Sequence, residues 1–187
     1  MKILSKFTFL SLFATLILCS CGDDEAMVVV DDDLNGTWTA KSWSANIESA
    51  TTGGGLNQSV TSTFTGTSFG YDLTFDNGSF TTDGNYSYTF AITGSGINQN
   101  GSEDVDNVNG NGTYTNTDTQ LTLKGRIFEY EANGLVSVAA SNEDTVLDYE
   151  INSDGDLVFT YDVVMTDTQA GFTTTSTISD VSVWERK

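Results

Sequence analysis

The chain has no histidine and no proline, only seven lysines and arginines against 26 acids in 187 residues, and just two cysteines. Each absence removes a class of chemistry. Without histidine there is no histidine-based triad or general base, and the usual zinc ligand sets cannot be assembled. Both cysteines, Cys19 and Cys21, fall at the end of the N-terminal apolar run, so no disulfide can staple the rest of the chain. Stability must then come from one hydrophobic core. A formal net charge of −19 repels nucleic acid and anionic lipid headgroups, which sets those partner classes aside. Paired carboxylates remain formally available, as in a glycosidase. No spacing among Asp72, Glu129, Glu131, Asp148 and Glu150 singles out a pair, however, and the chain is expected not to be an enzyme.

What the sequence does have begins at its N-terminus. Lys2 and Lys6 form a positive region ahead of the apolar run Phe7 to Leu18. At about a dozen residues that run suits a secretory leader and falls short of the ~20 needed to span a bilayer. It ends in Leu18-Cys19-Ser20-Cys21-Gly22. This segment resembles the lipobox of bacterial lipoproteins, in which a small residue precedes a cysteine that is acylated before cleavage. The resemblance implies a signal peptide over residues 1–20, a mature N-terminus acylated at Cys21, and a partner in the membrane itself. It also explains Cys21, which would otherwise be a lone thiol in an oxidising compartment. One acyl chain anchors marginally and two or more anchor firmly, and the lipoprotein family supplies several.

The leader takes Lys2 and Lys6 with it and no acid, which leaves five bases against 26 acids and a net charge of −21. The run Gly22-Asp23-Asp24-Glu25 resembles the acidic export signal that carries some lipoproteins of Gram-negative bacteria to the outer face of the outer membrane. The expected location is therefore the outer membrane, lipid-anchored at the cell surface; the alternative is a plain solvated tether with the domain facing the periplasm. Asp31, Asp32 and Asp33 extend the charge, and self-repulsion keeps residues 21–33 stretched as a spacer. Residues 34–187 are long enough for one domain.

That domain reads as β. Tyr71, Leu73 and Phe75 alternate with polar residues, as do Tyr86, Tyr88, Phe90 and Ile92, then Leu147, Tyr149 and Ile151, then Leu157, Phe159, Tyr161 and Val163. A period of two places them on one face of strands, and no stretch after residue 33 sustains a helical period. Asn77-Gly78, Asn133-Gly134 and Asp154-Gly155 sit between strand-like runs, where type I′ turns favour Asn-Gly or Asp-Gly. Asp83-Gly84 follows Asn77-Gly78 so closely that one of the two must be a bulge or corner. About eight to ten antiparallel strands must then hide their edges by closing into an up-and-down barrel or by stacking as a β-sandwich.

The segment Leu34-Asn35-Gly36-Thr37-Trp38 resembles the opening of lipocalins and of bacterial lipocalin-like lipoproteins. There a G-x-W motif starts the first strand and its tryptophan plugs the closed end of the barrel. The stretch from Tyr71 to Phe80 resembles the family's strand, turn and strand. Gly112-Thr113-Tyr114 with Gln120-Leu121-Thr122-Leu123 resembles a later hairpin. The resemblance implies a barrel closed by Gly36, Trp38 and an arginine packed over the tryptophan, for which Arg186 is the best match and Arg126 the alternative. The chain departs from the family in lacking disulfides and in having no helix-like segment after its last strand.

In such a barrel the inward positions are expected to be Trp43, Tyr71, Leu73, Phe75, Tyr88, Phe90, Leu121, Leu123, Tyr149, Phe159, Tyr161 and Val181. An eight-stranded interior is either filled by side chains or holds one small ligand. Trp43, Tyr71, Phe75, Tyr88, Phe90, Tyr149, Phe159 and Tyr161 are thus the candidate wall of a pocket for a small apolar or aromatic ligand; the plain alternative is that they are core. Two segments invite a calcium test. Asn152 to Asp156 places oxygens at positions 1, 3 and 5 as an EF-hand does, but glycine falls at position 4 and Val163 at position 12, so it is a hairpin loop. Asn98 to Gly112, rich in asparagine, acid and glycine, reads as a long loop: a lid, a weak calcium loop or a mobile tip. No cofactor and no metal are expected. Two functions remain: a lipocalin-like lipoprotein with a ligand in its barrel, or a surface β-module that binds glycan or protein from outside or only coats the membrane.

Overall fold

The computed structural model describes residues 33–128, 131–132, 136–137 and 144–187. The leader, Cys21, nearly all of the tether, the Asn133-Gly134 turn and the side chains of Glu129 and Glu131 lie outside the described residues. The described strands are, in chain order, β1 (Gly36–Gly53), β2 (Leu56–Asp76), β3 (Ser79–Gly94), β4 (Ile97–Asn116), β5 (Gln120–Lys124), β6 (Glu131–Ala132), β7 (Val136–Ser137), β8 (Thr145–Ile151), β9 (Leu157–Gln169) and β10 (Phe172–Arg186). Eight of them form one closed antiparallel barrel in the order β1-β10-β9-β8-β5-β4-β3-β2, and β6 and β7 make a separate small hairpin. The ring closes where Trp38 pairs with Arg186 and Ala40 with Trp184. This pairing decides between barrel and sandwich.

The strands are unequal, and the inequality shapes the molecule. β5 and β8 span five and seven residues, whereas their neighbours β4 and β9 span 20 and 13. β4 meets β5 only over Thr113–Asn116, and β9 meets β8 only over Leu157–Thr160. The ring is therefore complete only toward one end, the floor, where both chain ends of the barrel lie. Toward the other end, the rim, the sheet continues as β4-β3-β2-β1-β10-β9, and among the described residues a side opening separates β4 from β9. Asn77-Gly78 joins β2 to β3 as a two-residue turn, with φ of 47° and 89° as type I′ requires. Asp83-Gly84 makes no turn: Gly84 stays within β3 at φ 121°, and the bulge beside it lies in β4, where Asp106 and Asn107 stand against Asn85 alone.

Several expectations are corrected. Residues 98–112 are not a loop but the main part of β4, paired to β3 from Ile97 through Thr113. The reason lies across the strand: Gly101 and Gly112 lie opposite Phe90 and Phe80, whose rings lie over them, so β4 shows no apolar period of its own. Asp154-Gly155 is not a two-residue turn. It sits in a five-residue loop between Ile151 and Leu157, in which the Asn152 side-chain carbonyl accepts the amides of Asp154 at 2.9 Å and Asp156 at 3.0 Å. Val181 faces outward and is 38% exposed, because Asp180, Ser182 and Trp184 are the inward residues of β10; Ile151, at a strand end, is exposed as well.

A Cβ at Gly112 would stand 2.2 Å from the Lys124 carbonyl oxygen and 2.5 Å from the Phe80 ring. Gly112→Ala is expected to destabilise the barrel by about 1–3 kcal/mol, as overpacking does. Urea unfolding checks it, with the midpoint lowered and the slope unchanged. An unaltered midpoint would show that β4 and β5 are not held this closely.

Candidate functional site

The floor is built first by sequence and then by contacts. Gly36 opens β1 at φ 129° beside the buried Leu34. Trp38, 1% exposed, donates its indole N–H to the Leu34 carbonyl at 2.9 Å. The Arg186 guanidinium stands 4.8 Å from the centre of the Trp38 ring and also donates to the Asn35 carbonyl at 3.1 Å and to that of Asp33. A cation over an indole face contributes about 0.5–2 kcal/mol, and here it also ties the last strand to the segment entering the first. Arg126 lies elsewhere, at the side opening.

Above the floor the interior is occupied by rings. Phe75 meets Tyr114 edge-on at 4.8 Å between centroids, with Phe80 at 6.2 Å and Phe159 at 6.4 Å. Trp184 links Phe159 at 6.4 Å to Tyr71 at 5.8 Å. The upper layer centres on Trp43, with Tyr88 edge-on at 5.7 Å, Tyr86 at 6.3 Å and Phe64 at 6.4 Å. Between these layers enters a ring that belongs to no strand. Phe128, at the end of the segment that follows β5, stacks on Trp43 at 4.9 Å and 17°. It also lies 5.3 Å from Tyr86, 5.3 Å from Trp184 and 5.4 Å from Tyr71. The Tyr71 hydroxyl donates to the Ile127 carbonyl and fixes the segment that delivers the ring.

Of the candidate pocket wall, Trp43, Tyr71 and Tyr88 therefore share one cluster, and Phe75 and Phe159 join it from below. Phe90 covers Gly101, and the Tyr149 hydroxyl is held at the floor by Thr117 and Asn116 at 2.8 and 3.0 Å. Tyr161 stands half-buried. Sequence reading missed Phe128, which carries no alternation because it stands alone in a connection. It also missed Asp180, an acid at an inward position of β10 between Ile178 and Ser182.

Asp180 accepts the Trp43 indole N–H at 3.0 Å. Burial pushes its carboxyl up from the usual 3.8 to about 6, against the pull of the Trp43 hydrogen bond. Tyr161 is raised by its own burial and then by the Asp180 charge. A carboxyl whose pKa is higher folded than unfolded adds stability in full below about pH 4, and this is lost as pH rises through about 6. The full swing is at most roughly 3 kcal/mol. Asp180→Asn keeps an acceptor for Trp43 and removes the titration. It is expected to raise the unfolding free energy at pH 7 and to flatten its fall between pH 4 and 6. Equal pH dependence in the two proteins would contradict the assignment.

Two open clefts lie at the side opening, and the larger reaches Tyr71 of the ring stack. One of about 520 Å³ runs between Val105–Asn111 of β4 and Arg126–Ile127. Another of about 380 Å³ is lined by Asp83, Asn85, Asp106 and Asn107. Among the described residues no group of three acids or cysteines is placed to hold a metal ion. The chain matches no protein family, and no curated protein or solved structure is significantly similar to it.

Proposed function

We propose that this chain is a lipid-anchored, non-catalytic β-barrel lipoprotein of lipocalin-like build, held at the outer membrane through Cys21, which acts through its outer wall rather than through an internal ligand. The observation that carries this reading is Phe128. The space among Trp43, Tyr71, Tyr86 and Trp184, where a small aromatic ligand would have to sit, is occupied by a ring of the chain itself. Buried rings at these separations contribute about 0.5–1.5 kcal/mol per pair beyond their burial, so the cluster serves as core. The net charge of −21 left after the leader suits a wall that must stay soluble and selects against anionic partners.

Native mass spectrometry of the detergent-extracted lipoprotein from its own source tests the reading. The expected mass is that of the acylated polypeptide alone. A stoichiometric additional small molecule would overturn it in favour of the ligand-binding alternative.

A further inference from the structure

We propose that the free edge of β4 docks an extended, lysine- or arginine-bearing segment of a partner protein, which joins the sheet as an added strand. The inference rests on the reading that binding takes place on the outer wall. β4 is paired to β3 from Ile97 through Thr113, yet among the described residues its other edge is paired only over Thr113–Asn116. Along Ile97–Gly112 alternate backbone N–H and C=O groups therefore point away from the sheet with no ladder partner among the described residues. Such an edge is a template for another strand, and proteins usually blunt it with proline, charged side chains, a bulge or short length; here a bulge at Asp106-Asn107 and acids are present, but no base. This edge is long, and the whole chain has no proline.

Charge names the partner. No lysine or arginine occurs between Lys41 and Lys124, so β2, β3 and β4 carry no base at all. The free edge carries Glu103, Asp104 and Asp106, and Ser87 donates to Asp104 at 2.6 Å, which fixes that carboxylate. A second copy of this chain would set these acids against their own copies, which disfavours self-pairing. Asp104 lies on the outer face and Glu103 on the inner face, so a strand with bases at alternate positions gains on the face it presents to Asp104. Asp106 also lines both side clefts, of about 520 and 380 Å³, which flank the register shift where β4 bulges. Added strands take affinity from main-chain hydrogen bonds and specificity from pockets for alternate side chains. A lysine or arginine entering at Asp106 meets that requirement.

Acids on an edge can also serve only to keep strands away, and the experiment separates the two roles. The probe is an eight-residue peptide alternating lysine with valine or threonine, added to the full lipoprotein in detergent micelles at 150 mM salt. Amide hydrogen exchange is the readout. Two controls accompany it: the same peptide with glutamate for lysine, and one of equal charge with proline at alternate positions, which cannot complete a ladder. The lysine peptide is expected to slow exchange at least tenfold for the edge-facing amides of the stretch it covers within Ile97–Gly112 and to leave those of β1 unchanged, with neither control doing so. Replacing the three acids together (Glu103→Gln, Asp104→Asn, Asp106→Asn) is expected to weaken binding at least tenfold while leaving the thermal midpoint in place.

Three results overturn the proposal. The proline peptide could bind as well as the lysine peptide, which would reduce the effect to charge alone. Binding could occur with no added protection in β4. The β4 edge could be protected before any peptide is added, which would show it already occupied by the chain's own residues 129–143. None of these bears on whether the barrel holds a small molecule, which the mass measurement decides separately.

Discussion

Trp43→Ala is expected to lower the unfolding free energy by about 3–5 kcal/mol, the usual cost of deleting a buried large aromatic. That is a large part of the 5–15 kcal/mol typical of a domain, and in a fold without disulfides nothing else compensates. Trp43 is 2% exposed and among the described residues touches Phe64, Tyr86, Tyr88 and Phe128, so its removal leaves a cavity bordered by these rings. Trp43→Phe separates the ring from its N–H. It keeps an aromatic face but leaves the Asp180 carboxylate without its indole donor, at a cost of roughly 1–3 kcal/mol at pH 7. At pH 4, where Asp180 is protonated, that cost shrinks. Urea titrations at the two pH values check both statements. A loss below about 1 kcal/mol for Trp43→Ala would show that this ring is not the packed centre of the barrel.

Cys21→Ser is expected to abolish acylation outright. Cells fed a labelled fatty acid should label the native chain and not the variant, and the native protein alone should begin at residue 21. The physical reason is that the proposed lipid is joined through the Cys21 thiol, which serine does not supply; anchoring by acyl chains grows at about 0.8 kcal/mol per buried CH₂, so losing them also removes the attachment. Label retained on the serine variant would place the lipid on another residue.

The floor and the ring closure were legible because each rests on side chains that announce themselves locally. Gly36, Trp38 and Arg186 lie at the two ends of the domain, and the strand pairing brings Arg186 over Trp38. The alternation of Tyr71, Leu73 and Phe75, and of Tyr86, Tyr88, Phe90 and Ile92, placed β2 and β3 because each of those strands supplies its own apolar face. β4 was not legible for the converse reason: its inner face is glycine at 101 and 112, and the apolar surface there belongs to Phe90 and Phe80 of its neighbour. Val181 was placed inside on hydrophobicity, yet the inward position is Asp180, which Trp43 makes tolerable by donating its N–H across the β1–β10 pairing. Phe128 could not be found by period at all. It comes from a connection, and only the shortness of β5 and β8 leaves room for it to enter from the side.

Whether the barrel interior is completed by the chain itself is decided by a crystal structure of the protein purified from its own source. Phe128 is expected stacked on Trp43 and in contact with Trp184, with no density between these rings that the polypeptide does not explain. Density for a small molecule between Trp43 and Trp184, with Phe128 displaced toward the side opening, would show instead that the interior is a binding site.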